Sequence, residues 1–191
     1  MSTAQQQKKR LRAEALALRD AEDAGERSVA DACIRARLVA LPVFQAAQTV
    51  FCPVSRGSEV DTRTLIEEML ADGKTVCAPR CERGGVMHAQ LVTSLDELEP
   101  DAFGIPAPVA ECPIIAPEAL DLVLVPCVAC SRQGHRLGYG GGYYDRYLPT
   151  AAHATKVILC RESLLVQTLP SEAHDVRADL VITQNERIAI A

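Results

Sequence analysis

The spacing of apolar and polar positions changes period several times along the chain, and each change marks an element. Residues 4–20 place Leu11, Ala15 and Leu18 on one face at helical spacing. A second helix is predicted over 23–41, with Val29, Cys33, Ala36 and Ala40 as its inward face and Pro42 as its stop. The run TVFCPV, 49–54, is short and apolar, as a strand would be. DTRTLIEEMLADG follows as a helix, with Asp61 or Thr62 as N-cap and Gly73 as C-cap. KTVCAP, 74–79, is the next strand, and the three pieces have the length of a parallel βαβ unit.

VMHAQLV, 86–92, alternates enough for a strand, whereas 94–117 carries five prolines and reads as loop. ALDLVLVPCV, 119–128, is apolar nearly throughout, the pattern of a strand covered on both faces. A glycine loop and a helix near 142–149 come next. Strands are expected at 155–161 and 178–184, and RIAIA, 187–191, closes the chain. Strands alternate with helices, so the class is α/β with a mostly parallel sheet. No repeat or linker divides the chain, and one domain over 1–191 is expected.

Charge changes this picture little. The net charge is −5, so nothing global favours nucleic acid, and any anion must meet a local cationic patch. No apolar run has the length of a membrane span, and the N-terminus lacks a signal-peptide core. Glu14, Asp20, Glu22 and Asp23 follow the first basic residues closely, which argues against a transit peptide. A cytoplasmic protein without a membrane or nucleic-acid partner is expected. Cys127 and Cys130 have CxxC spacing, and Cys77 and Cys81 form a second close pair. With no second CxxC and no Cys/His cluster in the sequence, the cysteines read as small buried hydrophobes.

The stretch GHRLGYGGGYYDRYL, 134–148, is where chemistry concentrates. It holds all four tyrosines of the chain around a dense glycine loop. Such a loop after a buried strand and before a helix lets backbone N–H groups approach phosphate oxygens. Arg132 and Arg136 flank it as phosphate partners, and the tyrosines offer flat faces to a heterocycle. The pattern is neither a Gly-Lys-Ser/Thr phosphate loop nor GxGxxG, because Tyr143 stands where the third glycine would fall. A flexible surface turn is the competing reading, and it leaves the tyrosines unexplained. Asp145 either complements a helix dipole or holds Mg²⁺. In KKRLR, 8–12, Lys8 and Arg12 share a helix face that is either solvated or available to a nucleotide.

The same stretch resembles the signature of the 5-formyltetrahydrofolate cyclo-ligases, also called 5,10-methenyltetrahydrofolate synthetases. The matching positions are Gly134, Arg136, Leu137, Gly138, Gly140, Gly142, Tyr143, Tyr144 and Asp145. Weaker matches follow in the family's order: Lys8, Leu11 and Arg12; Glu59 to Thr62; Gly73, Lys74, Pro79 and Arg80; and His174 to Val176. The sequence departs from the family pattern at Phe51-Cys52, Ala107 and Ser131.

The resemblance implies a single-domain, three-layer α/β/α fold, Rossmann-like, acting as a monomer. It implies conversion of 5-formyltetrahydrofolate and MgATP to 5,10-methenyltetrahydrofolate, ADP and phosphate. The formyl oxygen would take the γ-phosphoryl group, and N10 would then close the ring as phosphate leaves. Lys8, Arg136 and Tyr143 would be catalytic. Lys8, Arg12, Arg136, Leu137, Gly138, Tyr139, Gly140, Gly141, Gly142, Tyr143 and Tyr144 would bind ATP. Glu59, Gly140, Tyr143 and Tyr144 would bind the folate, and Asp145 and Asp175 would hold Mg²⁺. Two other readings use the same residues: a paralogue acting on another formyl or carboxyl compound, and a non-catalytic folate- or nucleotide-binding protein.

Overall fold

The computed structural model describes residues 3–190. Three helices open the chain: α1 (Thr3–Ala21), α2 (Ala24–Val39) and the short α3 (Pro42–Ala46). Then β1 (Thr49–Phe51), α4 (Arg63–Ala71) and β2 (Thr75–Cys81) form the expected parallel βαβ unit. β3 (Met87–Val92) returns antiparallel to β2. The proline-rich stretch is not all loop: β4 (Glu99–Pro100) pairs with β5 (Pro106–Ala107), and β6 (Ile114–Ile115) joins β3. β7 (Leu122–Val125) follows, with β8 (Ala129–Ser131) and β9 (Arg136–Leu137) as a hairpin after it. The chain ends through α5 (Tyr143–Tyr147), β10 (Thr155–Leu159), β11 (Leu165–Val166), β12 (Leu180–Ile182) and β13 (Arg187–Ala189). The closing segment 187–191 includes Ala191, which lies outside the described residues.

The main sheet runs β13-β12-β10-β7-β1-β2-β3-β6. Its centre, from β12 to β2, is parallel, and only the edges are antiparallel. Each central strand alternates its side chains between two cores. Val50, Val76, Leu122 and Leu124 meet Ile34, Leu38, Phe44 and Met69 from α2, α3 and α4. Phe51, Val123, Val125 and Ile158 meet Tyr147, Leu148 and Ala151 on the other side. The result is a three-layer α/β/α arrangement, as the apolar pattern of β7 required.

Several strands are shorter than expected. β1 stops at Phe51 because Pro53 has no N–H for the ladder. β7 stops at Val125 before Pro126 for the same reason. Pro42 ends α2 but also opens α3 as its first residue, where a missing N–H is harmless. At α4 both candidate caps act. Thr62 occupies the cap position, while the Asp61 carboxylate accepts from the Arg63 N–H at 2.9 Å. Thr62 Oγ1 instead donates to the Pro53 carbonyl at 2.6 Å and accepts from the Ser55 N–H at 2.8 Å, pinning the 53–62 loop. Gly73 and Lys74 donate to the carbonyls of Leu70 and Met69, which closes the helix as a Schellman motif.

The helix faces correct the pattern reading. Leu18 is half exposed, and its neighbour Arg19 is buried. On α2, Val29 and Cys33 face solvent, and the buried row is Asp31, Ile34 and Leu38. Arg161, just past β10, explains the inversion. Its Nε and Nη2 each lie 2.8 Å from an Asp31 carboxylate oxygen. Its remaining donors reach Glu22 at 3.2 Å and the carbonyls of Ser58 and Glu59 at 2.8 and 3.1 Å. A charged residue can face inward when its partner arrives from elsewhere in the chain.

Removing one partner of a buried fork leaves the other desolvated and unpaired. Arg161→Ala should therefore lower the unfolding free energy by about 3 kcal/mol. Glu22→Ala, at the edge of the network, should cost about 1 kcal/mol or less. Urea midpoints at unchanged slope would measure both, and equal losses would show that the Asp31 fork is not the main contact.

Candidate active site

Strand order reverses between β1 and β7. From β1 the chain moves through α4 to β2, and from β7 it moves the other way to β10 and β12. Beyond the carboxyl ends of strands at such a switch point lies the natural crevice of an open α/β sheet. Here it is a narrow cleft with a cavity volume of about 40 Å³. Pro53, Val60, Leu124, Pro126 and Leu159 make its walls apolar, and Glu59, Arg19 and Arg161 bring charge to it.

One face of α1 reaches this cleft through Arg19. Lys8, Arg12, Ala15 and Arg19 follow one another at helical spacing along it. Lys8 Nζ lies 2.6 Å from Asp175 Oδ2 and 3.0 Å from Glu172 Oε2. Arg12 Nε donates to the Gly138 carbonyl at 2.6 Å. Arg19 donates to Ser58 Oγ and to the Tyr139 hydroxyl, each at 2.9 Å. The Tyr139 hydroxyl in turn donates to Glu59 Oε1. Burial first, and then that carboxylate, push the Tyr139 pKa up to about 12, so its proton stays in place at neutral pH. The Arg56 N–H holds the other Glu59 oxygen at 2.8 Å.

The glycine loop does not leave the central sheet directly. It hangs from the β8–β9 hairpin, which forms a small sheet with β11. The signature glycines divide between two tasks. A Cβ on Gly134 would lie 2.8 Å from the Ala178 carbonyl oxygen, so that glycine serves close packing against the end of the sheet. Gly140 has φ +98° and faces the Arg12 guanidinium, the conformation an L side chain resists and an exposed backbone loop requires. α5 has only five residues, so the dipole expected at its N-terminus is weak. Anion contacts at this loop must come from its N–H groups and from Lys8 and Arg12.

Arg136 and Asp145 form one pair, 2.6 Å apart. The other Arg136 Nη donates to the Val176 carbonyl at 2.6 Å, and the Val176 N–H reaches Asp145 Oδ1 at 3.2 Å. The Leu137 side chain is buried in packing. Tyr143 donates to the Glu82 carbonyl at 2.8 Å, meets Phe103 edge-on and lies beneath Arg146. Tyr144 and Tyr147 pack on Phe51. The Tyr144 hydroxyl is buried with no hydrogen-bond partner, and Arg136 and Glu59 are among its charged neighbours. A buried hydroxyl in that state is one a ligand can satisfy.

Glu172, His174 and Asp175 bring their ligand atoms within 4.8 Å of one another beside Lys8. The Asp145 Oδ2 atom accepts no hydrogen bond among the described residues. Carboxylate oxygens of this kind suit Mg²⁺, which binds through one or two carboxylates plus phosphate oxygens. A second cluster joins Cys127, Cys130 and Cys160. Hydrogen bonds from Cys130 and Cys160, with Arg136 and Arg19 nearby, hold the Cys127 thiol well below its ordinary pKa despite burial. Cys160 lies thirty residues beyond Cys130, so spacing alone concealed this cluster.

Sequence reasoning also missed Arg19, Glu172 and Arg161. An arginine closing an apolar strand was the one signal for the last of these. Of the residues named from the sequence for the site, Glu59 lines the cleft, Tyr139 bonds to it, Arg12 holds the glycine loop at Gly138, and Arg132 instead pairs with Glu186.

Fold and cleft define an α/β protein with a cleft at the switch point of a parallel sheet, lined by Glu59, Arg19 and Arg161. Residues 4–184 match the family described as the 5-formyltetrahydrofolate cyclo-ligase family. A 5-formyltetrahydrofolate cyclo-ligase of Escherichia coli (strain K12) is 31% identical over 161 residues, covering 78% of this chain and 85% of its own. The enzyme of that name from Mus musculus is 27% identical over 191 residues, covering 93% and 94%. The NMR structure of 5,10-methenyltetrahydrofolate synthetase from Aquifex aeolicus superposes with a TM-score of 0.85 at 31% identity, covering 96% of this chain and 92% of that one. The chain belongs to the 5-formyltetrahydrofolate cyclo-ligase family.

The Lys8 contacts have a pH signature. Burial works against the Lys8 ammonium, but Asp175 and Glu172 outweigh it and raise its pKa. Burial also works against ionisation of Asp175, yet Lys8 and the Glu172 N–H hold its carboxyl below the ordinary value. The Asp175 contribution to stability is therefore fully present above about 3.9 and lost as pH falls through its lower folded value. The Lys8 contribution is fully present below about 10.4 and lost as pH rises through its higher folded value. Asp175→Asn should remove about 1 kcal/mol at neutral pH and flatten the acid limb of a stability profile. An acid limb identical to that of the unmodified protein would show that the pair does not couple to folding.

Proposed function

We propose that the chain is an ATP-dependent ligase that cyclises 5-formyltetrahydrofolate to 5,10-methenyltetrahydrofolate, releasing ADP and phosphate. One observation carries the reading. Arg12 ties α1 to the glycine loop at Gly138, and Tyr139 of that loop joins Arg19 and Glu59, which line the cleft. A phosphate donor and a flat, hydrogen-bonding acceptor can therefore meet in one place.

Phosphoryl transfer requires positioning and charge neutralisation more than covalent help from the protein. Lys8 and Arg12 would carry the charge of the ATP phosphates, with N–H groups of Gly138–Tyr143 as further donors. Arg136, held by Asp145 and Val176, would orient that acid and the 175–176 loop. Glu59 would accept hydrogen bonds from the pterin, and Tyr143 and Tyr144 would line its pocket. Phosphorylation turns the formyl oxygen into a leaving group, and ring closure by N10 then needs a held geometry within one molecule. Mg²⁺, when bound, would offset charge on the transferred phosphoryl group. Asp145 and Asp175 are the carboxylates that would hold it, with Glu172 beside them. We also propose that residues 1–191 act as one catalytic unit and as a monomer.

A groove next to Glu59 fits the rest of such a substrate. Arg27, Arg35, Arg56 and Arg63 line it beside Asp31, Glu59 and Asp61, and among the described residues Arg35 is the one of these arginines with a carboxylate partner, Glu68 at 3.2 Å. The carboxylates of a pteroylglutamate would meet cations there.

The deciding experiment follows methenyl-folate absorbance with ATP and 5-formyltetrahydrofolate, alongside ADP release. Turnover that needs both substrates supports the reading, and tight binding without turnover would leave a binding protein. Asp145→Asn should stay folded, lose turnover by roughly a hundredfold, and need more Mg²⁺ for half-maximal rate. A wild-type rate across the Mg²⁺ titration would remove Asp145 from the metal. The double variant Arg56→Ala/Arg63→Ala should raise KM for the folate about fivefold and leave KM for ATP in place, since each exposed cation contributes under about 1 kcal/mol.

A further inference from the structure

Cys127, Cys130 and Cys160 have no part in the proposed reaction, yet they meet at its border. Cys127 follows β7, Cys130 lies in β8 and Cys160 follows β10, so three strands deliver one thiol each. Their sulfurs all lie within 4.8 Å of one another. Cys130 and Cys160 are buried, while Cys127 is half-buried and shares the cleft wall with Cys160. Among the described residues no other cysteines converge in this way, and no disulfide is present.

The geometry points to a ligand. In a tetrahedral zinc site with Zn–S bonds of about 2.3 Å, the sulfurs stand about 3.8 Å apart. No two of the three sulfurs here stand more than 4.8 Å apart, which keeps that spacing within reach of small side-chain movements. Buried cysteines used as packing have no reason to turn their sulfurs toward one another. Charge is also provided for. Three thiolates around a divalent cation carry one net negative charge, and Arg19 lines the same cleft.

We propose that Cys127, Cys130 and Cys160 form a three-thiolate site for a thiophilic divalent cation of the zinc class, set in the cleft wall with a further coordination position on the cleft side. On binding, each sulfur that is still a thiol gives its proton to solvent as the sulfur takes the metal, and no electron is transferred. Occupancy would tie the ends of β7 and β10 to β8, beneath the glycine loop. It would also place a cation in the wall that faces the proposed folate pocket.

The test uses the reduced full-length protein and Cd²⁺ as probe, read by the ultraviolet thiolate-to-cadmium charge-transfer band. One equivalent should bind, with the intensity of three thiolates. Zn²⁺ should displace it. Cys127→Ala and Cys160→Ala should each weaken binding at least tenfold, because a two-thiol remnant cannot enclose the ion. The double variant Cys33→Ala/Cys112→Ala should bind like the unmodified chain. Should an alanine variant fail to fold, alkylation of the unmodified chain decides instead: saturating Zn²⁺ should protect Cys127, as located by peptide mapping. A band that persists in folded Cys127→Ala, a band lost with Cys33 and Cys112, no stoichiometric band, or unprotected Cys127 would each overturn the site.

Discussion

Arg161 commits all five of its N–H donors inside the protein, and the order of the cleft follows from that. Two go to Asp31 on α2, one to Glu22 just past α1, and two to backbone carbonyls at Ser58 and Glu59. A planar guanidinium can serve five acceptors in fixed directions, whereas a lysine has three donors on a flexible stem. The fork joins both N-terminal helices to the end of β10 and fixes the backbone that carries Glu59. Thr62 pins the same loop from its other end through Pro53 and Ser55. Glu59 therefore meets Tyr139 in one arrangement, with Arg19 held on the other side of the same hydroxyl.

The class of fold was legible because the central strands lie between two apolar layers, and alternation or continuity of apolar residues records that burial. β7, buried at all four positions, is the clearest case. The faces of α1 and α2 were not legible, and for one reason. Arg19 and Asp31 occupy inward positions that a hydrophobicity pattern assigns to solvent, and their partners are distant in sequence. Leu18 and Val29, which the pattern turned inward, are exposed. The β8–β9 hairpin was hidden in a similar way, since a glycine-rich stretch with arginines reads as loop and its strands are only two or three residues long.

The candidate site was legible where chemistry needs rare residues in close order. Lys8, Arg12, Glu59 and Asp145 were all identified from sequence; Glu59 lines the cleft, while Lys8, Arg12 and Asp145 contact Asp175, Gly138 and Arg136. The clustering of the four tyrosines now has a divided explanation. Tyr147 and the ring of Tyr144 complete the core against Phe51, Tyr143 braces the loop at Glu82, and Tyr139 joins the Glu59 network. The Tyr144 hydroxyl, with Arg136 and Glu59 among its charged neighbours, is buried and unpartnered, as is the Tyr147 hydroxyl. The glycines divide likewise, since Gly134 answers to packing and Gly140 to the approach of Arg12.

Two cations of the candidate site are neutralised before any ligand arrives: Lys8 by Glu172 and Asp175, and Arg136 by Asp145. In a chain of net charge −5 this keeps partly buried charges paired and stable. It also sets a condition on binding. A phosphate chain can gain Lys8 only by competing with two carboxylates, so a single anion has little to offer. An anion that arrives with Mg²⁺ is different, because it supplies a cation for the carboxylates that Lys8 would leave. Such an exchange would conserve charge on both sides, and under the proposed function that balance would favour a metal-bound polyphosphate over free phosphate.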